Sequence, residues 1–554
     1  MKKASELRWI LNQCRGNYAC LLGMLFLNLF VGICYILITM IFQGFINIAA
    51  GDSAVTLTEM FLFSGIVVLL YAFSQIFSSL TEGYIFGKLE KEIRGNLIEG
   101  IFDKRSLDVH RMHSGEILNR LTTDVAGVVS FITQLFGGMW LAFFTALFAI
   151  IYLFLLNWKM AVLYLIIIPL LFLAITRFAP RLQEAARVDS ENEDNNRKQM
   201  QEILNRFNLF QVYGMKDVAR EAWQVLYEKK KRSKIRLSLL QGEFGCLNTM
   251  MTFTIFLLSS GVGAYFVING NNKVGDLVAM IQLSNYIILP LTEGSQWMSR
   301  YNSAVVSVER IRELERLEDR STAESAAWNR GTVSSVEIEN LSFSYRDGEE
   351  KVLEKVSAQF RLGEITGIIG ESGSGKTTLL NLILGLYPME EGVMTCVTSQ
   401  GQRLPFAGGR QNISYVPSDS FVFYGTIKEN ICMSLPYEEE KFRRICGFAN
   451  IDRLIGACEK KEDELINENG NNLSEGQKQR IALARALYND TDMIVLDEPT
   501  ANLDKASCDI FMEMIRQIGR DRICVMVTHD VEMIRNCDRV YELKDRRLVE
   551  QDRA

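Results

Sequence analysis

The 554-residue sequence predicts an all-α membrane domain of six helices with long helical extensions, followed by an α/β P-loop domain. Three observations carry this prediction. Six apolar segments, all before residue 300, are each long enough to cross a bilayer, which takes about 20 residues as helix. Two long polar segments of helix-forming composition lie between them. After residue 315 the apolar runs shorten to strand length, and one of them leads into GESGSGKTT.

The composition agrees with a chain that is half membrane and half soluble. Hydrophobic residues make up 48 % and the mean hydropathy is +0.07. The net charge of −6 carries no basic block of the kind that binds nucleic acid. The nearest candidate, KKKRSK at Lys229–Lys234, falls in a segment expected on the cytosolic side of a membrane, where such charge is ordinary. The eleven cysteines form no CxxC pair, and seven of them follow residue 390, so reduced structural thiols are expected. The three histidines, His110, His113 and His529, argue against a histidine metal centre. Lys2, Lys3 and Arg8 precede an apolar run too long for a signal peptide, which reads as a retained anchor.

The spans are expected near 20–48, 60–82, 129–156, 158–179, 244–269 and 277–298. Only NWK separates the third from the fourth, so those two form an antiparallel hairpin. The connections near 49–59, 157–159 and 270–276 are short and nearly free of Lys and Arg. The segments 86–126 and 180–243 are long and basic, which places them and both termini in the cytosol. LEKEIRGNLIEGIF has apolar residues at helical spacing, so the spans continue as cytosolic stalks. Asn28, Gln43, Gln75, Gln134, Asn248, Gln282, Asn285 and Glu293 interrupt the apolar runs. Polar groups facing lipid are costly, so these side chains should face the bundle interior or a wet cavity. Glu293 follows Pro290, where the helix can bend. With Asn285 and Gln282 it is the candidate lining of a substrate cavity that favours cationic or amphipathic cargo. The alternative is a packing role without substrate contact.

RLEDRSTAESAAWNRG is polar and rich in small residues, as linkers are. The expected domains are 1–318 for the membrane part, 319–334 for the linker and 335–554 for the soluble part. In the latter, Ile365–Ile369 reads as a buried parallel strand entering the G-x-x-x-x-G-K-[ST] loop. Gly370, Gly373 and Gly375 let the backbone wrap round phosphate oxygens, and successive N–H groups and a helix N-terminus point at that charge. Lys376 is expected at the β- and γ-phosphates and the Thr377 hydroxyl on Mg²⁺. The rest of the ATP-binding loop is Glu371, Ser372, Ser374 and Thr378. DMIVLDEPT is a strand ending in two acids, Asp497 for Mg²⁺ and Glu498 as general base. ICVMVTHD is another buried strand, with His529 at its end to orient the water and Glu498.

These motifs, with LSEGQ and six preceding spans, make the chain resemble an ATP-binding-cassette (ABC) transporter of the exporter fold. The resemblance covers essentially the whole chain. It implies an α/β P-loop ATPase domain using ATP and Mg²⁺, and coupling of hydrolysis to cargo movement by alternating access. It implies that Tyr345 stacks on adenine and that Asp504 lies in a loop linking two sites. It implies that Glu468 senses the stalks. LDVH near 107–110 and RFNLFQVYG near 206–214 fall where the family's coupling helices lie. It further implies that Leu473, Ser474, Glu475, Gly476 and Gln477 grip ATP held by a second, facing domain. A chain with one of each motif is then half of a transporter, needing an identical or homologous partner.

Two residues depart from the family pattern. Glu475 stands where glycine is usual, and Ser418 stands where the family has a glutamine that meets Mg²⁺ and the attacking water. Serine is shorter and reaches the metal only through a bridging water, which predicts a working but slow site. The expected setting is a bacterial-type plasma membrane, and the expected cargo an amphiphilic small molecule, lipid or peptide, with no nucleic acid partner. No peptidase segment precedes the first span, so cleavage of a leader in cis is not expected. The alternatives are an exporter-fold importer of metal chelates and a non-pumping ATP-gated channel or sensor.

Overall fold

The computed structural model describes residues 2–51, 55–112, 114–319, 333–345, 350–389, 391–406, 413–500 and 505–551. It divides into two compact units: Met1–Phe102 with His113–Arg316, and Asp103–Met112 with Leu317–Ala554.

The first unit is helical. Its elements are α1 (Lys2–Gln13), α2 (Tyr18–Ala49) and α3 (Leu57–Phe102), then, after α4 (Ser106–Arg111) of the second unit, α5 (Ser114–Asn119), α6 (Val125–Gln134), α7 (Trp140–Leu156), α8 (Trp158–Asn205), α9 (Phe207–Val212), α10 (Lys216–Ile268) and α11 (Val274–Glu315). Six stretches, Ser5–Ala49, Leu57–Phe102, Ser114–Leu156, Trp158–Asn205, Lys216–Ile268 and Val274–Glu315, are long and apolar enough to cross a membrane. This is a multi-pass membrane protein. The 53 residues of α10 correspond to roughly 80 Å at 1.5 Å per residue, far more than a hydrocarbon core of about 30 Å. The helices therefore run on as stalks. Asn157 alone separates α7 from α8, its side chain accepting from the N–H groups of Lys159 and Met160.

Two of the polar side chains in the apolar segments, Asn28 and Gln43, repair the backbone or tie helices together. Five-residue π turns, Arg120–Asp124 and Leu135–Met139, interrupt the third span. A π turn leaves carbonyls without their helical partners. Buried Asn28 donates to two of them, Phe136 O at 2.9 Å and Gly137 O at 3.2 Å. Gln43 donates to Asp276 at 2.7 Å and accepts from Tyr152. Gln75 and Asn285 lie on the surface of this chain.

The second unit is α/β. A four-stranded antiparallel sheet runs in the order β2-β1-β4-β5, from β1 (Val333–Phe343), β2 (Leu353–Arg361), β4 (Glu391–Thr398) and β5 (Arg403–Pro405). A six-stranded sheet runs β12-β11-β3-β10-β9-β6, from β3 (Ile365–Ile369), β6 (Ile413–Val416), β9 (Met493–Asp497), β10 (Ile523–Val527), β11 (Arg539–Lys544) and β12 (Arg547–Glu550). A short ladder joins β7 (Gly425–Thr426) and β8 (Leu465–Ile466). The helices are α12 (Lys376–Ile383), α13 (Ile427–Cys432), α14 (Glu439–Phe448), α15 (Asp452–Ala457), α16 (Glu475–Tyr488), α17 (Lys505–Gly519) and α18 (Val531–Arg535). β9 and β10 are buried at every residue, as strands covered on both faces must be.

One core packs Ile368, Val495 and Val525 against the antiparallel sheet and α12. The other packs Leu496, Cys524 and Met526 against α16 and α17. The eleven cysteines are free thiols. Burial pushes those of Cys446 and Cys524 up to about 12, which makes them inert.

Candidate nucleotide site

Strand order brings the three motifs to one end of the sheet. β10 pairs in parallel with β3 on one side and β9 on the other. Val527 lies level with Ile368 and with Asp497. Gly370, Glu498 and His529 therefore leave the sheet at the same end, outside the carboxyl ends of parallel strands, where α/β sheets bind ligands.

The loop after β3 is shaped by glycine. A Cβ on Gly370 would stand 2.7 Å from Leu543 O, and Gly375, the N-cap of α12, has φ 107°. Lys376 Nζ curls back to donate to Gly370 O at 2.7 Å and Glu371 O at 2.9 Å. Ser374 Oγ is buried without a hydrogen-bond partner among the described residues. An ammonium held over the loop by two backbone carbonyls and an orphan hydroxyl inside it suit an anionic ligand, so the residues fit a phosphate chain. Glu371, Ser372, Gly373 and Thr377 are exposed, and Thr378 is buried.

Tyr345 OH lies 2.8 Å from Thr378 Oγ1, and its ring meets Tyr387 edge-on at 6.0 Å. Tyr345 is 37 % exposed. Arg111 of α4 donates to Tyr345 O. Leu107 packs into the core of the second unit, and Lys104 pairs with Asp319 at 2.7 Å. LDVH is thus a small helix seated against the segment that carries Tyr345.

Asp497 is buried and Glu498 partly exposed. Burial first, then the neighbouring Glu498 charge, raise the Asp497 carboxyl above the ordinary aspartate range, partly offset by Tyr415 and Lys376. A buried acid crowded by a second acid is a good seat for a divalent cation. Among the described residues His529 Nδ1 is 3.5 Å from Glu498 Oε1. Ser418 is exposed in the turn after β6.

Sequence reading missed three groups here. Tyr415 OH lies 3.5 Å from Asp497 Oδ2. Asp419, next to Ser418, adds to the negative field on Asp497. Arg485 of α16 donates to Asn430 O and to Phe421 O, both at 2.8 Å, and so pins the loop that follows Ser418. Its position in ALARALY carried no signal beyond an arginine on an otherwise apolar helix face.

Ser474 is the N-cap of α16. Its hydroxyl accepts from Gln477 N at 3.3 Å, and Gln477 Oε1 accepts from Ser474 N at 2.8 Å. This capping box leaves Ser474 and Glu475 exposed, with Leu473, Gly476 and Gln477 half-buried. Among the described residues no hydrogen bond, ion pair or ring contact joins Leu473–Gln477 to Gly370–Thr378. Glu468 is exposed on a short 3₁₀ turn, Glu468–Gly470. Asp504 and His113 lie outside the described residues, as does most of the linker. In the first unit, Gln282 and Glu293 are half-buried on α11, where Gln282 donates to Tyr286 OH at 3.0 Å.

Fold and site together define a P-loop nucleotide-binding domain fused to a six-helix membrane unit. Residues 21–291 match the family described as ABC transporter transmembrane region, and residues 353–501 the family described as ABC transporter. The chain belongs to the ABC transporters, as an exporter-fold chain with both parts fused. It is 28 % identical over 358 residues to the leukotoxin translocation ATP-binding protein LktB of Mannheimia haemolytica, a match covering 63 % of this chain. The LktB of Bibersteinia trehalosi matches equally. The match spans about half, 49 %, of that relative's length. A solved structure of a bacterial Atm1-family ABC exporter with ATP bound is similar with a TM-score of 0.79 and 18 % identity, covering 96 % of this chain and 94 % of that one. At that identity the likeness is one of fold.

Proposed function

We propose that this chain is one half of an ATP-driven exporter that moves an amphiphilic small molecule, lipid or peptide across the plasma membrane by alternating access. The soluble part and both termini are cytosolic in this reading. Its domains are a membrane part to residue 318, a linker and an ATP-binding part from 335. The observation that carries it is the separation of two half-sites within one chain. The glycine loop has its lysine, held only by the loop's own carbonyls among the described residues, while the signature Ser474 caps α16 at the surface, its side chain bonded within its own turn. Each half-site lacks what the other offers. Two chains, identical or homologous, facing head to tail would complete two cages, with Ser474 and the α16 N-terminus against the partner's triphosphate. The apolar residues of α9 support a partner: Phe207, Leu209 and Val212 are exposed, Val212 by 80 %.

In this reading Lys376 and the loop N–H groups hold the phosphates and Tyr345 shelves the adenine. Thr377 and Asp497 would hold Mg²⁺, with Ser418 reaching it through water, and the ion neutralises phosphate charge. Glu498 takes a proton from the attacking water, and His529 positions Glu498. Closure of the two cassettes round ATP and their release after hydrolysis would be passed to the spans through the stalks, a rigid-body change biased by ligand.

The test mixes two inactive chains. Lys376→Ala and Gly476→Asp each abolish ATP turnover alone. Co-expressed and co-purified through two tags, the pair regains one intact cage and a substantial fraction of wild-type turnover. No recovery in the mixed dimer would overturn the trans arrangement. ATP-dependent accumulation of cargo in inside-out vesicles separates pumping from a channel, which only equilibrates.

A further inference from the structure

Three tyrosines from three helices meet midway along the expected hydrocarbon segments. They are Tyr35 of α2, Tyr71 of α3 and Tyr286 of α11. Tyr35 stands between the other two, with ring centroids 5.5 Å from Tyr71 and 5.4 Å from Tyr286. The rings meet at 63° and 53°, so they form angled walls and not a stack. Tyr35 OH and Tyr71 OH are 3.2 Å apart, and Gln282 Nε2 donates to Tyr286 OH. All three residues are half-buried.

A purely structural seam would be cheaper in phenylalanine or leucine, because a phenol hydroxyl in hydrocarbon must find a partner. The charge pattern gives this aromatic corner a purpose. Leaving aside the last three residues at either end of each expected span, the six segments hold a single formal charge, Glu293. It lies seven residues beyond Tyr286 on α11, two helical turns or about 10 Å further along the same face. An intramembrane carboxylate is expensive unless it serves a site. Aromatic faces attract organic cations strongly where water is excluded, and angled aromatic walls are how ammonium groups are recognised.

We infer that Tyr35, Tyr71, Tyr286 and Glu293 form a binding site for a lipophilic organic cation, the carboxylate supplying charge and the rings the cage. This rests on the transporter reading and narrows its cargo from amphiphiles in general to cationic ones. Tyrosine hydroxyls and Gln282 complement a polar rim on that cation, while an anionic amphiphile meets Glu293 unfavourably.

The experiment uses the full-length chain in lipid nanodiscs. The probes are radiolabelled tetraphenylphosphonium and tetraphenylborate, which share shape and differ in charge sign, with empty nanodiscs subtracted. Saturable binding of the cation and none of the anion is expected. Tyr35→Leu and Tyr286→Leu should each weaken cation binding about tenfold, as should Glu293→Gln. Tyr286→Phe should stay within about threefold of wild type, because it keeps the ring. Equal binding of both probes, or cation binding indifferent to Tyr35→Leu and Tyr286→Leu, overturns the site. Should the leucine variants fold poorly, Glu293→Gln decides: wild-type cation affinity there overturns it. ATP turnover of the same wild-type preparation, and its loss in Glu498→Gln, reports separately on the transporter reading. Turnover without saturable cation binding removes the site and leaves the transporter.

Discussion

His529 Nδ1 stands 3.5 Å from Glu498 Oε1, and Glu498 itself sits in the left-handed region at φ 43°. Its N–H is tied to Val527 O at 2.9 Å, so the strained backbone is held by the neighbouring strand. Left-handed φ is uncommon outside glycine and is found where a side chain must be aimed. Here the carboxylate leaves the end of β9 near His529, two residues past the end of β10. Glu498→Gln keeps size and pose and removes the proposed base. ATP turnover, read as phosphate release, should fall roughly 10²–10⁴-fold while nucleotide binding is retained. His529→Ala should cost less, because in the proposed mechanism it removes a positioning group and not the proton acceptor. Full turnover in Glu498→Gln would take the general base away from this residue.

Asp497 makes a prediction about pH. Its folded pKa is raised, by burial first and then by Glu498. Between the ordinary aspartate value and the raised one, the folded chain binds more protons than the unfolded chain. Stability contributed by the protonated acid is therefore full below the unfolded value and lost as pH rises through the folded one. Above the folded value the charge is a standing cost that a bound cation relieves. Asp497→Asn should raise the midpoint of thermal unfolding of nucleotide-free protein at pH 7 and flatten its loss of stability above the ordinary aspartate pKa. The same substitution should remove the further stabilisation that ATP gains from added Mg²⁺. An unchanged Mg²⁺ response would place the metal elsewhere.

The parts of this site legible in the sequence are those built from consecutive residues. Ile365–Ile369, Met493–Leu496 and Ile523–Val527 were readable as strands because a parallel strand covered on both faces is apolar throughout. The glycine loop and the acid pair follow directly from two of them. Contacts across the fold were not readable. Tyr415 and Asp419 act on Asp497 only because β6 pairs with β9, an adjacency that periodicity does not encode. Asn28 read as a residue facing the bundle interior, but its task of satisfying carbonyls freed by a π turn depends on backbone geometry that hydropathy does not report. α4 read as a coupling helix, whereas the bond from Arg111 to Tyr345 O needed coordinates.

Arg485 carries structural weight out of proportion to its sequence signal. Burial lowers its pKa to about 10, which still leaves it charged at neutral pH. That charge is matched by Asn430 O, Phe421 O and Asn430 Oδ1, the last at 3.2 Å. Asn430 in turn exchanges two bonds with the backbone of Phe423. Arg485→Ala should destabilise the folded protein by about 2–4 kcal/mol, because it orphans the carbonyl of buried Asn430 and unties that of Phe421. Turnover should fall further than unfolding explains, since the loop after Ser418 loses its anchor. Arg485→Lys keeps the charge without the planar fork and should rescue stability only in part. A thermal midpoint in Arg485→Ala equal to wild type would dismiss the anchor.

Ser418 offers a gain-of-function test. It is exposed at the turn after β6, and its short side chain can reach a metal or an attacking water only through a bridging water. Asp419 beside it contributes negative field at Asp497, so the turn already leans toward a cation. Ser418→Gln restores a side chain two carbons longer, ending in both a donor and an acceptor. ATP turnover at saturating Mg²⁺-ATP should rise severalfold, with little change in KM, if positioning of the water limits the wild-type rate. Asp419→Asn should instead weaken the dependence on Mg²⁺ concentration without matching that gain. A Ser418→Gln protein whose turnover equals or falls below wild type would show that this turn does not limit hydrolysis, and that the serine belongs to the site as it works.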